Sequence, residues 1–326
     1  MTVVVTGAGG QDGTLLTRLL TARGHRVIGL GRAGPVDITD PEAVDRLIAT
    51  ERPSQVYLLA AVQHSSQDPP PDPVRLARDS HLVNTLQVQY FAEAVLRHDT
   101  GTRLCYAASS HVFGPGDGLP RDEGSGLRPA SVYGLTKAAG LLACRTYRAR
   151  GVFATAAILF NHESPLRPEK FVSRKIVTAV ARIQRGKARE LVVGRLAAGA
   201  DWGYAPDYVE AMTSVLDLDA PDDFVMATGE HHTVAEFCAT AFGLAGLDWT
   251  RYVREEPSVL TRSDPPAVGD ARRLRERTGW RPSVDFTGMV RALLAAEGVE
   301  LVDDPPARVF SEPVATGGGD GSRELQ

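Results

Sequence analysis

The sequence predicts an α/β fold, with a doubly wound parallel sheet and a smaller C-terminal substrate-binding lobe. Apolar strand-like segments alternate with helical patterns, a glycine-rich turn follows the first strand, and polar side chains end a later strand. Open parallel sheets have these features and bind ligands at the carboxyl ends of their strands. We expect residues 1–165 to form mainly the dinucleotide-binding domain and residues 166–304 mainly the smaller lobe, with strands exchanged between them. We expect residues 305–326 to be a disordered tail.

Composition excludes several classes of protein. Of the 326 residues, 43% are hydrophobic and 23% are charged, which is ordinary for a globular protein with a full core. A formal net charge of −4 gives no general attraction to nucleic acid, and no apolar run reaches the ~20 residues that span a bilayer. The three cysteines lack metal-ligand spacing, and the chain opens on a strand rather than on a signal peptide. We therefore expect a cytoplasmic protein without a metal site, a nucleic-acid partner or a membrane association.

The first element is an apolar strand that runs into a glycine-rich turn within residues 3–13. Three glycines there have the spacing Gly-x-x-Gly-x-x-Gly, and leucines at helical spacing follow. Glycines let the backbone approach a pyrophosphate, and the N-terminus of the next helix supplies N–H groups and a favourable dipole. The turn therefore predicts the pyrophosphate site of a Rossmann domain. Its predicted cofactor contacts are Gly7, Gly10, Gln11, Asp12 and Gly13.

The second strand, residues 26–32, bears on the choice of cofactor. An acidic side chain at its end would bind the ribose 2′-hydroxyl of NAD, but Arg32 stands there instead. A guanidinium suits the 2′-phosphate of NADP, so the cofactor is NAD(P), with NADP slightly favoured. The alternative is that Arg32 is a solvated surface residue.

Two further segments are predicted to line the cofactor. After a short third segment, Asp37 and Ile38 are expected to face the adenine. The next buried strand ends in Leu59, Ala60 and Ala61, whose small side chains would let the backbone pass close to the cofactor.

A later buried strand, residues 103–108, delivers polar side chains to the ligand-binding edge of the sheet. Ser109, Ser110 and His111 follow it directly. A sixth strand, residues 152–160, is expected to end in Asn161. Beyond a helix at residues 171–185, short strands and loops are expected.

Tyr133 and Lys137 are the predicted base and its partner. Residues four apart lie on one face of a helix, so the ammonium would stand beside the phenol. That arrangement favours the phenolate and lowers its pKa from ~10, which would make Tyr133 a general base at neutral pH. Both residues would also contact the cofactor. The alternative is a chance pair on a solvated helix face.

These motifs and several longer segments resemble the extended short-chain dehydrogenases/reductases, and among them the GDP-mannose 4,6-dehydratases. The similarity runs from residue 1 to about residue 295. Its most specific segments are residues 6–13, 159–165, 171–176, 201–212 and 227–230.

The resemblance implies a nucleotide-diphosphate sugar substrate, with a GDP-hexose expected, bound over the C-terminal lobe. It implies that Ser109, Tyr133 and Lys137 oxidise the sugar at C4, and that two helices, near Leu82 and Tyr133, pair two chains into a homodimer. The predicted substrate contacts are His64, Ser109, Ser110, Asn161, Val172, Lys175, Arg195 and Arg262. For Arg262 there is also a physical reason, because a guanidinium can make two parallel hydrogen bonds to a phosphate.

The sequence also departs from the family's pattern. The glutamate that removes the C5 proton in the dehydratases is replaced by His111, and the arginine expected before Asp201 is Ala200. An acidic residue is replaced by Pro265, while Arg195 could restore a positive charge. The loop after the second strand is largely missing.

These departures decide the expected product. Elimination of water across C5 and C6 calls for a group that acts as base and then as acid. Without the glutamate, a 4-keto sugar could turn and take the hydride back on its other face, and the small Ala200 would leave room for this. We therefore expect a nucleotide-sugar C4 epimerase. The alternatives are a dehydratase in which His111, with a pKa of ~6.5, does the glutamate's work, simple ketone reduction, and a non-catalytic dinucleotide-sensing protein.

Overall fold

The structure is a computed structural model that describes residues 1–32, 34–63, 71–98, 101–116, 118–256 and 268–303. Its strands are β1 (Thr2–Thr6), β2 (Arg26–Leu30), β3 (Gln55–Leu58), β4 (Arg103–Ser109), β5 (Phe153–Leu159), β6 (Asn161–Glu163), β7 (Leu191–Val193), β8 (Gly199–Ala200), β9 (Trp202–Tyr204), β10 (Asp223–Met226), β11 (His232–Thr233) and β12 (Val253–Glu255). Its α-helices are α1 (Gln11–Ala22), α2 (Pro41–Glu51), α3 (Pro73–Ser80), α4 (Gln87–His98), α5 (Val132–Arg148), α6 (Val172–Gln184), α7 (Ala205–Leu216), α8 (Val234–Leu244), α9 (Arg272–Thr278) and α10 (Phe286–Ala296). A π-helix spans His81–Leu86, and 3₁₀ turns span Ser110–Phe113 and Trp249–Arg251. The predicted tail lies outside the described residues.

Six parallel strands form the central sheet in the order β2-β1-β3-β4-β5-β10. This confirms the predicted doubly wound parallel sheet. The chain leaves β1 on one side to form β2 and returns to its other side to form β3. The carboxyl ends of β1 and β3 therefore mark the switch point at which such sheets bind ligands.

The sheet is buried on both faces, which explains its nearly continuous apolar strands. In β1, Val4 belongs to a cluster with residues of α2, α4 and α5, whereas Val3 and Val5 belong to a cluster with residues of α1, α7 and α9. A third cluster joins α6, α8 and α10 beyond the sheet. The last strand of the sheet, β10, comes from the second half of the chain. The domain boundary near residue 165 remains a prediction.

One sequence expectation is wrong and another is incomplete. No strand forms between β2 and α2 in the described part of that segment, so β5 is the fifth strand of the sheet and not the sixth. Gly31, Gly34 and Pro35 interrupt the extended run, and Asp37 accepts hydrogen bonds from the backbone N–H and hydroxyl of Thr39. The described part of the segment beyond α6 contains the expected short strands, but it also contains the helices α7 to α10, which were not expected. Among the helices of the described ranges, none is long and apolar enough to cross a membrane.

Candidate active site

Two adjoining cavities lie along the carboxyl ends of the sheet strands. One, of about 450 Å³, contains Tyr133 and is called the tyrosine cavity. The other, of about 680 Å³, is called the second cavity. The glycine turn after β1 borders both, and Arg32 lies in the lining of both. An elongated ligand can therefore extend from one cavity to the other past the N-terminus of α1.

The structure brings most of the predicted site residues to these two cavities. The tyrosine cavity is lined by Gly7, Gly10, Gln11, Asp12, Gly13, Arg32, Leu59, Ala61, Ser109, His111, Tyr133, Lys137 and Asn161. The second cavity is lined by Gly7, Gly10, Arg32, Asp37, Ile38, Leu59, Ala60 and Ala61. Their roles as cofactor and substrate contacts remain predictions.

The remaining predicted substrate contacts are not brought together there. Ser110, Val172, Lys175 and Arg195 line neither cavity. His64 and Arg262 lie outside the described residues.

The glycine turn is packed too closely for side chains at Gly7 and Gly13. A Cβ added to Gly13 would lie 2.2 Å from the carbonyl oxygen of Gly7. Helix α1 begins directly after Gly10, whose position supplies no side-chain cap. The N–H groups of its first turn therefore face the cavity side with no hydrogen bond from a capping side chain, as anion binding at a helix N-terminus requires.

Tyr133 and Lys137 stand in the first two turns of α5, which begins after a serine cap. The Ser131 hydroxyl accepts a hydrogen bond from the N–H of Gly134 at 3.1 Å. Lys137 is buried and donates to the carbonyl oxygen of Ala107 at 2.6 Å, and its Nζ lies 5.8 Å from the centroid of the Tyr133 ring. Burial lowers the pKa of Lys137 to about 7, although the charge of Asp12 opposes this.

The pKa of Tyr133 differs from the sequence expectation. Burial raises it above its ordinary value, while a hydrogen bond with Ser109 and the charge of Arg167 oppose the rise. Desolvation disfavours the phenolate more than these neighbours favour it. The surroundings of Tyr133 therefore favour its protonated form.

His111 is held beside Tyr133 by a close backbone approach. A Cβ on Gly134 would lie 2.5 Å from the carbonyl oxygen of His111, so only glycine lets α5 start against this segment. The two rings meet edge to face, with centroids 5.5 Å apart and planes at 83°. The Ser109 hydroxyl accepts a hydrogen bond from the N–H of His111 at 3.3 Å. A serine, a tyrosine, a lysine and a histidine thus surround one cavity, an arrangement suited to moving protons at a polar ligand.

Sequence reasoning missed the opposite wall of the tyrosine cavity. His162, Arg167, Lys170 and Phe171 line it. The Arg167 guanidinium lies 3.8 Å from the centroid of the Phe171 ring. His162 directly follows Asn161 in a segment already quoted for its resemblance, so the sequence offered a signal for this residue.

The buried His162 is bonded to the partly buried Asp12 in the lining of the tyrosine cavity. Its Nε2 lies 3.0 Å from both carboxylate oxygens, and its Nδ1 lies 2.7 Å from the carbonyl oxygen of Phe160. Burial lowers the pKa of His162, but the charge and hydrogen bond of Asp12 outweigh it and the net shift is upward. Burial likewise raises the pKa of Asp12, but His162, Gln11 and Arg167 together bring it below its ordinary value.

Comparison with known proteins finds a family model and relatives that carry the same description. A family model described as GDP-mannose 4,6 dehydratase matches residues 32–293. The chain is 37% identical to "GDP-mannose 4,6 dehydratase 2" of Arabidopsis thaliana, over 91% of this chain and 87% of that protein. It is 31% identical to the GDP-mannose 4,6 dehydratase of Homo sapiens, over 93% of this chain and 92% of that protein.

Solved structures share the fold at lower identity. RMD from Pseudomonas aeruginosa, complexed with NADPH, superposes with a TM-score of 0.79 at 22% identity, covering 91% of this chain and 97% of that one. The UDP-glucose 4-epimerase of Thermus thermophilus, complexed with NAD, gives 0.76 at 24% identity, covering 91% and 99%. These two likenesses bear on the fold alone.

Proposed function

Because this chain belongs to the GDP-mannose 4,6-dehydratase family of extended short-chain dehydrogenases/reductases, we propose that it removes water from a GDP-hexose, with GDP-mannose as the first candidate. It is an NAD(P)-dependent nucleotide-sugar enzyme. The proposed product is the GDP-4-keto-6-deoxy sugar. This was the alternative in the sequence analysis, and the relatives favour it over the epimerase that was expected first.

In the proposed reaction, Ser109 donates a hydrogen bond to the C4 oxygen and Tyr133 takes the C4 hydroxyl proton. The residues that line the two cavities would hold the nicotinamide cofactor, which would supply positive charge near Tyr133 and serve as acceptor of the C4 hydride and donor of a hydride at C6. His111 removes the C5 proton and transfers a proton to the departing C6 hydroxyl, which leaves as water. When the hydride arrives at C6, C5 must take up a proton. The proton that Tyr133 removed from the C4 hydroxyl accounts for it, so the net loss is one water.

The observation that carries this proposal is the contact between the His111 and Tyr133 rings at 5.5 Å in one cavity. C4 and C5 are adjacent carbons of the sugar, so the base that acts on C5 must lie close to the group that acts at C4. An imidazole has an ordinary pKa of ~6.5, which allows it to accept a proton and then give it up near neutral pH. His111 is exposed to the cavity side, where a substrate can reach it.

One argument for an epimerase, the space beside Ala200, is weakened. Ala200 was expected to leave room for a sugar to turn, but it lies in β8 and lines neither cavity. C4 epimerisation remains the competing outcome of the test that follows.

Incubation with GDP-mannose and catalytic NADP⁺ is expected to give a product lighter than the substrate by one water. Mass spectrometry of the product measures this directly, and the same assay with UDP-glucose tests the nucleotide. A product of unchanged mass whose C4 configuration is inverted by NMR would replace dehydration with epimerisation.

Arg32 supports a preference for NADP. It lies in the lining of both cavities, and no described residue forms an ion pair or hydrogen bond with its guanidinium. Asp37 lines the second cavity too, but its Oδ1 accepts from Thr39. The guanidinium is therefore available for a 2′-phosphate, while the carboxylate is engaged within its own turn.

We expect Arg32→Gln to weaken NADPH binding by about 10- to 100-fold, the cost of a charge-assisted phosphate contact, while NADH binding changes little. Isothermal titration with both cofactors measures the two dissociation constants. Arg26→Gln is the matched control, because Arg26 begins β2, the strand that precedes Arg32, and pairs with Glu51 at 2.6 Å. Equal losses for NADPH and NADH in Arg32→Gln would remove the proposed preference.

We also propose a cytoplasmic homodimer. Leu135 and Leu142 are about half exposed and stand seven residues apart on α5, which supports pairing of this helix with a second copy. Size-exclusion chromatography with light scattering tests the dimer.

A further inference from the structure

Helix α1 is bonded to the opposite wall of the tyrosine cavity. The side chains that make these bonds were predicted from the sequence to contact the cofactor. The substrate-side segment is defined as residues 161–171, which run from β6 to the start of α6. It contributes Asn161, His162, Arg167, Lys170 and Phe171 to the cavity. Gln11 and Asp12 face it from the first turn of α1.

The amide of Gln11 is occupied within the protein. Its Nε2 donates to the carbonyl oxygen of His162 at 3.1 Å and to Asp12 Oδ1 at 3.2 Å. Its Oε1 accepts from the Ser164 hydroxyl at 2.9 Å. Both amide donors and the carbonyl are thereby used, so the side chain has little capacity left for a ligand.

Ser164 completes the link without facing a ligand. It is fully buried and lines neither cavity. Its hydroxyl also accepts from the N–H of Leu166 at 3.2 Å, which fixes the turn that leads to Arg167. The Asp12–His162 pair lies beside this link, and Gln11 also donates to Asp12, so these contacts form one network that holds the segment against α1.

We infer that Gln11 and Ser164 are positioning residues that set the substrate-side segment against the pyrophosphate turn, so that cofactor binding strengthens binding of the nucleotide sugar. The inference rests on the proposed function only in taking a nucleoside diphosphate to bind against this segment. A cofactor that orders the first turn of α1 orders, through Gln11, the wall that the second ligand meets. By thermodynamic linkage, the second ligand strengthens cofactor binding by the same factor.

The test is the dissociation constant of NADPH, measured by fluorescence titration with and without saturating GDP, in the absence of turnover. The ratio of the two constants is the coupling factor. We expect about 5-fold or more for the unaltered protein, the lower bound of ordinary coupling energies, and a clearly smaller factor for Ser164→Ala, in which the hydrogen bond from Gln11 to the carbonyl oxygen of His162 remains. Ser164→Thr, which keeps the hydroxyl, should restore most of the coupling.

Two further variants separate this role from a general structural one. Gln11→Met keeps the length of the side chain but removes the amide, so its effect on coupling should not add to that of Ser164→Ala. Thr102→Ala is the matched control, because it removes a buried hydroxyl that donates to the carbonyl oxygen of Pro53 at 2.7 Å, outside both the substrate-side segment and α1. It should leave the coupling factor unchanged, whatever it does to stability.

The outcomes are distinct. A coupling factor unchanged in Ser164→Ala, or equal to 1 in the unaltered protein, overturns the inference. If GDP does not bind, the titration is repeated with UDP and dTDP, since the link does not depend on the base. Failure of every nucleoside diphosphate to bind would instead count against the proposed function.

Discussion

Tyr133→Phe is expected to lower turnover by about 10²- to 10⁴-fold while cofactor binding stays within a few-fold of the unaltered protein. The substitution removes the phenolic oxygen that takes the C4 hydroxyl proton and leaves the ring in place. The Ser109 hydroxyl, its hydrogen-bond partner, cannot take over this role, because an alcohol does not ionise near neutral pH. Reduced nicotinamide formed in a single turnover, followed by its absorbance, measures the loss at the oxidation step itself.

Tyr147→Phe provides the control on the same helix. The Tyr147 hydroxyl donates to Glu93 at 2.8 Å, and the residue lines neither cavity. Its loss should affect stability only. Turnover in Tyr133→Phe within about 10-fold of the unaltered protein would mean that the phenol is not the base, since general base catalysis contributes at least 10²-fold.

The first half of the fold could be predicted because its signals are local. A glycine turn after a buried strand and a tyrosine four residues before a lysine each specify one element and one orientation. The second half was predicted poorly for a physical reason. Helix α8 is buried along most of its length and lacks a periodic polar face, and α9 is a short segment in which Leu274 is the one buried residue, so neither shows the pattern that distinguishes a surface helix.

The candidate site could be predicted where polar residues stand at the end of a buried strand in the sequence. Ser109 and His111 follow a buried strand, and the structure brings both to the tyrosine cavity. The partners of Gln11 and Asp12 could not be found in this way, because Ser164 and His162 lie about 150 residues away in the chain. The pKa of Tyr133 was misjudged for a similar reason, since spacing reveals the nearby ammonium but not the burial that outweighs it.

His111→Gln is expected to lower the rate of dehydration by about 10²- to 10⁴-fold, while oxidation at C4 continues. An amide can hydrogen-bond a sugar hydroxyl but cannot take a proton from C5 and pass it to the leaving oxygen. Single-turnover reactions should therefore accumulate reduced cofactor and a 4-keto sugar that keeps its C6 hydroxyl. Mass spectrometry in deuterated water provides a second readout, because exchange at C5 should disappear together with water loss.

His111→Glu then distinguishes the acid/base role from a merely steric one. A carboxylate restores the group that the family resemblance places at this position, so dehydration should persist. The lower limb of the pH profile should move to lower pH, because the base must be deprotonated to attack C5 and a carboxyl group loses its proton at lower pH than an imidazole. His98→Gln, at the end of α4 and paired with Asp45, is the control and should leave the profile where it is. If His111→Gln still releases water, or if the limb stays fixed in His111→Glu, another group moves the C5 proton and the contact between the His111 and Tyr133 rings only shapes the cavity.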